Sequence, residues 1–101
     1  MGNRLDLQAM LEELLGSRNV YFQPPSSVKM QYPAIVYSRS GINNNHADDS
    51  VYRQSLEYEV IVIDRDPDSE IVMKVSQLSC CSFDRHYTAD KLNHDVFTLI
   101  Y

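Results

Sequence analysis

Glycine is scarce in this chain: three residues in 101, none arranged as a phosphate-cradling loop, so no nucleotide-binding motif is present. Cysteine is scarcer still. Cys80 and Cys81 are adjacent, and strand alternation would send their side chains to opposite faces, which argues against a structural staple. Two isolated thiols also lack the Cys/His spacing of a zinc site; their ordinary place is a core or surface position, and the alternative is a redox or ligand role for the vicinal pair. Basic residues number nine against fourteen acidic ones, giving a formal net charge of -5 and a pI near 4.9. The Lys and Arg residues are scattered, which opposes electrostatic attachment to nucleic acid or an anionic membrane. No apolar run approaches the roughly 18 residues of a membrane span, and the N-terminal residues lack the basic-then-apolar order of a signal peptide. The chain is expected to act where it is made.

Catalytic signatures are missing as well. Ser, His and Asp occur without a Gly-x-Ser-x-Gly elbow or a cysteine-nucleophile pattern. His86, Asp90, His94 and Asp95 lie close together in sequence, but their spacing matches neither a helical ligand pair nor a finger, and Asp, Asn and Thr are common in hairpin turns for local hydrogen bonding. The expectation is a protein that is not an enzyme, with no catalytic residues, no cofactor and no metal.

What the chain does contain is β-pattern. Leu56 to Ile63 alternates and then turns wholly apolar, as a strand covered on both faces at its end would. Asp66 suits a helix N-cap, Pro67 the first helical position, and Ile71, Val72, Val75 and Leu78 one buried helical face. An earlier helix spans about Arg4 to Leu15, striped by Leu7, Met10, Leu11 and Leu14, with Gly16 as C-cap. Short strands follow at Val20 to Phe22, stopped by Pro24 and Pro25, and at Ala34 to Tyr37. Cys80 to Arg85 and Asp95 to Tyr101 read as two antiparallel strands joined by His86 to His94. The length allows one core. The expected fold is therefore a single α+β domain in the order α-β-β-β-α-β-β, with a mixed or antiparallel sheet of about four to five strands flanked by two helices.

Between these elements, Ser38 to Ser50 reads as one long loop or hairpin tip. It holds Asn43, Asn44, Asn45, His46, Asp48 and Asp49, with Ile42 and Ala47 as its only apolar residues. Loops of this length are commonly functional or disordered, and a segment with so little to bury can order on a partner. The strand leaving it, Val51 to Ile63, is long enough to project beyond the sheet and reach a neighbour. Within that strand, Tyr52, Leu56, Tyr58, Val60 and Val62 share the face expected against the helices. Arg53, Ser55, Glu57 and Glu59 share the other. Seven tyrosines fall in or beside strands; most belong in the core, and some suit interfaces. Asn43, Asn44, Asn45, His46, Asp48, Asp49, Tyr52 and Arg53 are the candidate partner-binding residues.

The segments Tyr58-Glu-Val-Ile-Val-Ile-Asp-Arg-Asp-Pro-Asp-Ser-Glu-Ile71 and Cys81-Ser-Phe-Asp-Arg-His-Tyr-Thr-Ala-Asp-Lys-Leu-Asn-His-Asp-Val-Phe-Thr-Leu-Ile-Tyr101 resemble those of tail terminator, or tail completion, proteins of long-tailed bacteriophages. Phe22-Gln-Pro-Pro25 and Tyr32-Pro-Ala-Ile-Val-Tyr37 resemble them too, so the likeness covers most of the chain. It implies a homo-hexameric ring at the head-proximal end of the tail tube, which stops addition of tube protein and presents a docking surface to the head connector. The expected location is the head–tail neck of the virion, after assembly in the host cytoplasm. DNA would pass through without specific binding, no membrane would be involved, and Glu57 and Glu59 are the candidate channel-facing residues, repelling phosphate. A head-completion or stopper protein is the nearer alternative. A small ligand-binding α+β domain is the farther one, and would need a concave pocket with converging polar groups.

Overall fold

The computed structural model describes residues 4–25, 27, 29–47, 50–78 and 80–101, and for 43–47 and 50–55 the backbone alone. Its elements run α1 (Arg4–Leu15), β1 (Val20–Phe22), β2 (Ala34–Ala47), β3 (Ser50–Asp64), α2 (Glu70–Ser76), β4 (Cys81–Ala89) and β5 (Leu92–Ile100), in the expected order. The strands form one five-stranded sheet ordered β1-β2-β3-β5-β4. Only the β1–β2 pair is parallel; β2–β3, β3–β5 and β4–β5 are antiparallel. The result is a mixed α+β sheet with two helices.

One face of the sheet carries the core. Ile35 and Tyr37 of β2 pair with Val62 and Val60 of β3, and Tyr58 and Val60 pair in turn with Leu99 and Phe97 of β5. These side chains are buried in one cluster with Leu7 and Leu11 of α1 and Val75 of α2, so both helices cover this face. The face contrast in β3 follows the alternation of its sequence. Tyr58, Val60 and Val62 are buried, whereas on the helix-free side Glu57, Glu59 and Ile61 are part-exposed and the contrast ends at Ile63, which is buried as well.

Tyr37 ties the layers together. Its hydroxyl donates to Gln8 Oε1 and accepts from Arg4 Nη1 at 3.4 Å, while Gln8 Nε2 donates to the Val20 carbonyl at 3.0 Å. Its ring meets Phe22 at 4.9 Å and Tyr58 at 5.9 Å between centroids, and the Arg4 guanidinium lies over Phe22 at 4.6 Å. Burial raises the Tyr37 hydroxyl above the ordinary tyrosine pKa, because desolvation disfavours the phenolate more than the nearby Arg4 favours it.

Three local expectations are corrected. First, β2 does not end at Tyr37: the segment expected as a loop from Ser38 is strand through Ala47, held by its antiparallel register with β3. Second, α2 starts later than Asp66. Asp64 and Asp66 accept the N–H groups of Asp66 and Asp68 at 3.1 and 2.9 Å, and Ser69 is the N-cap, its hydroxyl accepting from Ile71 N at 3.3 Å. The aspartates spend their oxygens on Asx turns, which compete with helix initiation. Third, the connection expected at His86 to His94 is only Asp90 and Lys91, both at positive φ (54° and 65°), the signature of a two-residue type I′ hairpin turn. Gly16 does close α1 as expected: with φ of 82° it donates to the Glu12 carbonyl at 2.9 Å.

Candidate assembly surface

The most distinctive geometry lies where the sheet stops having neighbours. β1 accompanies β2 only as far as Phe22 beside Tyr37, and β5 accompanies β3 only to Ile100 beside Glu57, extended by the Tyr101–Leu56 backbone pair. Gln23 finishes the β1 side, its N–H donating to the Tyr37 carbonyl and its Oε1 accepting from Arg39 N. Beyond these points β2 and β3 continue as a two-stranded ribbon to Ala47 and Ser50. At roughly 3.3 Å per residue, residues 40–47 alone carry the ribbon about 25 Å past the sheet. The long axis of the molecule, 50 Å against 24 and 23 Å, reflects this arm.

An isolated two-stranded ribbon is marginal in water. The β2 side of the arm holds a run of asparagines, which offers hydrogen-bonding groups and little apolar surface. Ile42 stands apart from it. It pairs with Leu56 on the helix side of the sheet and is 51% exposed.

A second unfinished edge lies at the opposite end of the sheet. β4 is nine residues long, and all but Cys81 are exposed. Its outer edge has no partner strand among the described residues. Phe83 meets Phe97 edge-on at 5.6 Å yet stays 57% exposed. Tyr87 stacks on His94 at 4.6 Å and 10° on the helix-free face. Natural proteins blunt such edges with bulges and charges. β4 has one bulge, between Phe83 and Arg85, where Asp84 pairs with Arg85 at 2.7 Å. The β1 edge is closed more firmly, being three residues long and followed by Pro24 and Pro25.

The residues singled out from sequence fall as follows. Asn43, Asn44, Asn45 and His46 lie on β2, and Tyr52 and Arg53 on β3, all within the arm's backbone; Asp48 and Asp49 lie outside the described residues. Glu57 and Glu59 lie at the arm's root on the helix-free face, Glu57 accepting from Ser40 Oγ at 3.2 Å. His86 and Asp95 are brought together, Nδ1 to Oδ1 at 2.8 Å, as a cross-strand pair, while His94 turns away to stack on Tyr87. Asp90 occupies the turn. No three His, Cys, Asp or Glu side chains converge among the described residues.

Two features went unread in the sequence. One is an apolar pocket of about 400 Å³ between α1, the α2–β4 turn and the end of β5, lined by Met10, Leu78, Cys80, Leu99, Ile100 and Tyr101. Its signal was Leu78, set at the helical spacing but part-exposed. The other is the cysteine pair's setting: Cys80 is exposed at φ 60° in the turn, and Cys81 begins β4, its thiol pushed above the ordinary range by burial. No protein-family model matches the chain, and no curated protein matches it.

Proposed function

We propose that this chain is the subunit of a ring at the head-proximal end of a phage tail tube, one that ends tube growth and offers its far side to the head connector. The observation that carries the reading is the arm. A 14-residue and a 15-residue strand leave a compact sheet together and run on with no further strand beside them among the described residues, which a solitary domain gains nothing by making and a ring subunit uses to reach the next copy. The resemblance of Tyr58 to Ile71 and of Cys81 to Tyr101 to tail terminator proteins supplies the setting. A terminator binds the tube end through one surface and presents a different one outward, so the stacking contact does not repeat.

In this reading the ring is a homo-hexamer and the helix-free face, with Glu57 and Glu59, lines the passage. Carboxylates there keep phosphates from adhering as DNA moves through, an effect that salt screening weakens. The chain acts as a structural part of the virion neck, without cofactor or catalysis. Electron microscopy of lysates from a phage carrying an early stop codon in this gene tests the role. Overlong tubes beside filled heads are expected. Free tails of normal length beside emptied heads would assign the chain to the stopper of the head connector, and intact infectious particles would overturn a structural role.

A further inference from the structure

The ring reading uses the arm and leaves the outer edge of β4 unassigned. We infer that two copies of the chain join as a two-fold dimer by antiparallel pairing of β4 with β4, Phe83 of each copy lying opposite His86 of the other. The inference is independent of the ring reading, because a two-fold contact is complete with two copies and builds no ring.

The backbone comes first. The Cys80 carbonyl accepts from Ile100 N at 3.0 Å, so Cys80 and, two residues on, Ser82 turn their backbone groups toward β5, whereas Cys81 and Phe83 turn theirs outward. At the other end of β4 the two-residue turn makes Ala89 and Leu92 a hydrogen-bonded pair. Ala89, Tyr87 and Arg85 therefore face β5, and Thr88 and His86 face outward. Between the two halves the bulge absorbs the extra residue: Phe83 to His86, three steps of β4, run beside Phe97 to Asp95, two steps of β5. Cys81, Phe83, His86 and Thr88 are thus evenly spaced along an edge that has no partner strand among the described residues. Their register with β5, and through it with β3, sets all four on the helix side.

An evenly spaced set of this kind is its own complement. Identical strands laid antiparallel about a two-fold axis normal to the sheet keep the helices of both copies on one side. Cys81 then meets Thr88 of the second copy and Phe83 meets His86, each pair occurring twice, and every outward amide and carbonyl is used. Beyond them Ala89 meets Cys80, in the turn that precedes the strand, so each β4 ends where the other does. Slipping by one repeat leaves three such pairs, and slipping by one residue turns facing side chains to opposite sides.

Charge selects the same register. Asp84 and Arg85, paired at 2.7 Å and about half exposed, sit at the bulge and hence at the centre of the contact. Each Asp84 faces Arg85 of the second copy, giving four charges of alternating sign; in the slipped registers these residues face Ser82 or Tyr87 instead. Phe83, 57% exposed and already edge-on to Phe97, gains the His86 ring of the second copy as an aromatic cross-strand neighbour. A bulge ordinarily deters edge pairing. Here it lies on the symmetry axis, where both strands carry it and neither loses its spacing.

The test is a disulfide that only the dimer permits. Ser82 and Tyr87 are cross-strand neighbours between the two copies, yet five residues apart on one strand, beyond disulfide reach within a chain. The full chain carrying Cys80→Ser, Cys81→Ser, Ser82→Cys and Tyr87→Cys, checked by circular dichroism for an intact fold, is oxidised in a glutathione buffer and mapped by mass spectrometry. A covalent dimer linking position 82 of one copy to position 87 of the other is expected. In sedimentation the unaltered chain should form a dimer that dissociates on dilution. Phe83→Arg and Asp84→Arg should each weaken that dimer by roughly tenfold or more, and adding Arg85→Asp to Asp84→Arg should restore it. Linkage of 82 to 82 or 87 to 87 alone, no covalent dimer, an unaltered chain that stays monomeric, or a dimer indifferent to these substitutions would each overturn the pairing. Intact tails after loss of the gene would remove the ring role and leave the dimer standing, whereas overlong tails from a chain that never dimerises would do the reverse.

Discussion

The root and the arm of the β2–β3 hairpin share the same two strands and the same ladder, yet they live under different physics. At the root, Tyr37, Val60 and Val62 are buried beneath two helices and flanked by β1 and β5. In the arm, among the described residues, the backbone pairs only across the hairpin itself. Regular secondary structure is thus no measure of where stability resides. Packing of the helix-side face holds the domain together, and the arm is carried at little cost because nothing in the core depends on it.

The sharpest way to break this comparison is to attack the root. Tyr37→Ala removes a buried ring in contact with Phe22 and Tyr58 and strands the Gln8 acceptor; a loss of about 3–5 kcal/mol in urea unfolding is expected. A loss under about 1 kcal/mol would mean that the helix layer contributes little.

Tyr37→Phe isolates the hydroxyl. It should cost about 1 kcal/mol at neutral pH, and the cost should shrink in alkali. Because the folded hydroxyl titrates above the unfolded one, its stabilisation is fully present below about pH 10 and is lost as the pH climbs through the folded value. Unfolding curves of both proteins from neutral to strongly alkaline pH measure this; parallel pH dependences would show that Tyr37 does not titrate differently on folding.

Smaller still is the turn between β4 and β5. Lys91 sits at φ 65°, a region that costs a side-chain-bearing residue roughly 1 kcal/mol. Lys91→Gly relieves that strain but frees the unfolded chain, so a net gain of a few tenths of a kcal/mol, up to about 1, is expected in thermal unfolding. Smallest of all is the arm: replacing residues 43–55 by Asn-Gly, which joins the paired Ile42 and Leu56, should shift stability by no more than about 0.5 kcal/mol while abolishing assembly beyond a dimer in sedimentation. A large loss of stability on this truncation would erase the distinction between root and arm.

Legibility in the sequence divided along the same line. Where one face is buried, alternation and the helical stripe of Leu7 and Leu11 marked the elements closely, because burial demands periodicity. Residues 38–47 carry no apolar alternation, so asparagines sit in strand without a pattern to announce it. The late start of α2 was hidden because Asp64, Asp66 and Ser69 all suit capping, and only their hydrogen bonds show which of them turns the chain. The hairpin turn at Asp90 and Lys91 lacks the glycine that usually marks its type. The candidate site was legible as a region, the arm, while the second open edge was not: nothing in Cys81 to Ala89 distinguishes an outer strand from an inner one until the sheet order is known.

The sheet order also governs how the domain comes together. β5 lies between β3 and β4 although β4 precedes it in sequence, so the molecule is two hairpins, each closed locally, zipped along a single β3–β5 seam. Short-range hairpin closure is quick, whereas joining units distant in sequence is delayed by chain entropy. During synthesis the β2–β3 hairpin is complete before any of β5 has been made, and its inner edge waits unmatched until β5 follows. β5 is therefore the keystone of the sheet, and termination anywhere before it would leave a sticky, half-built domain rather than a smaller working one.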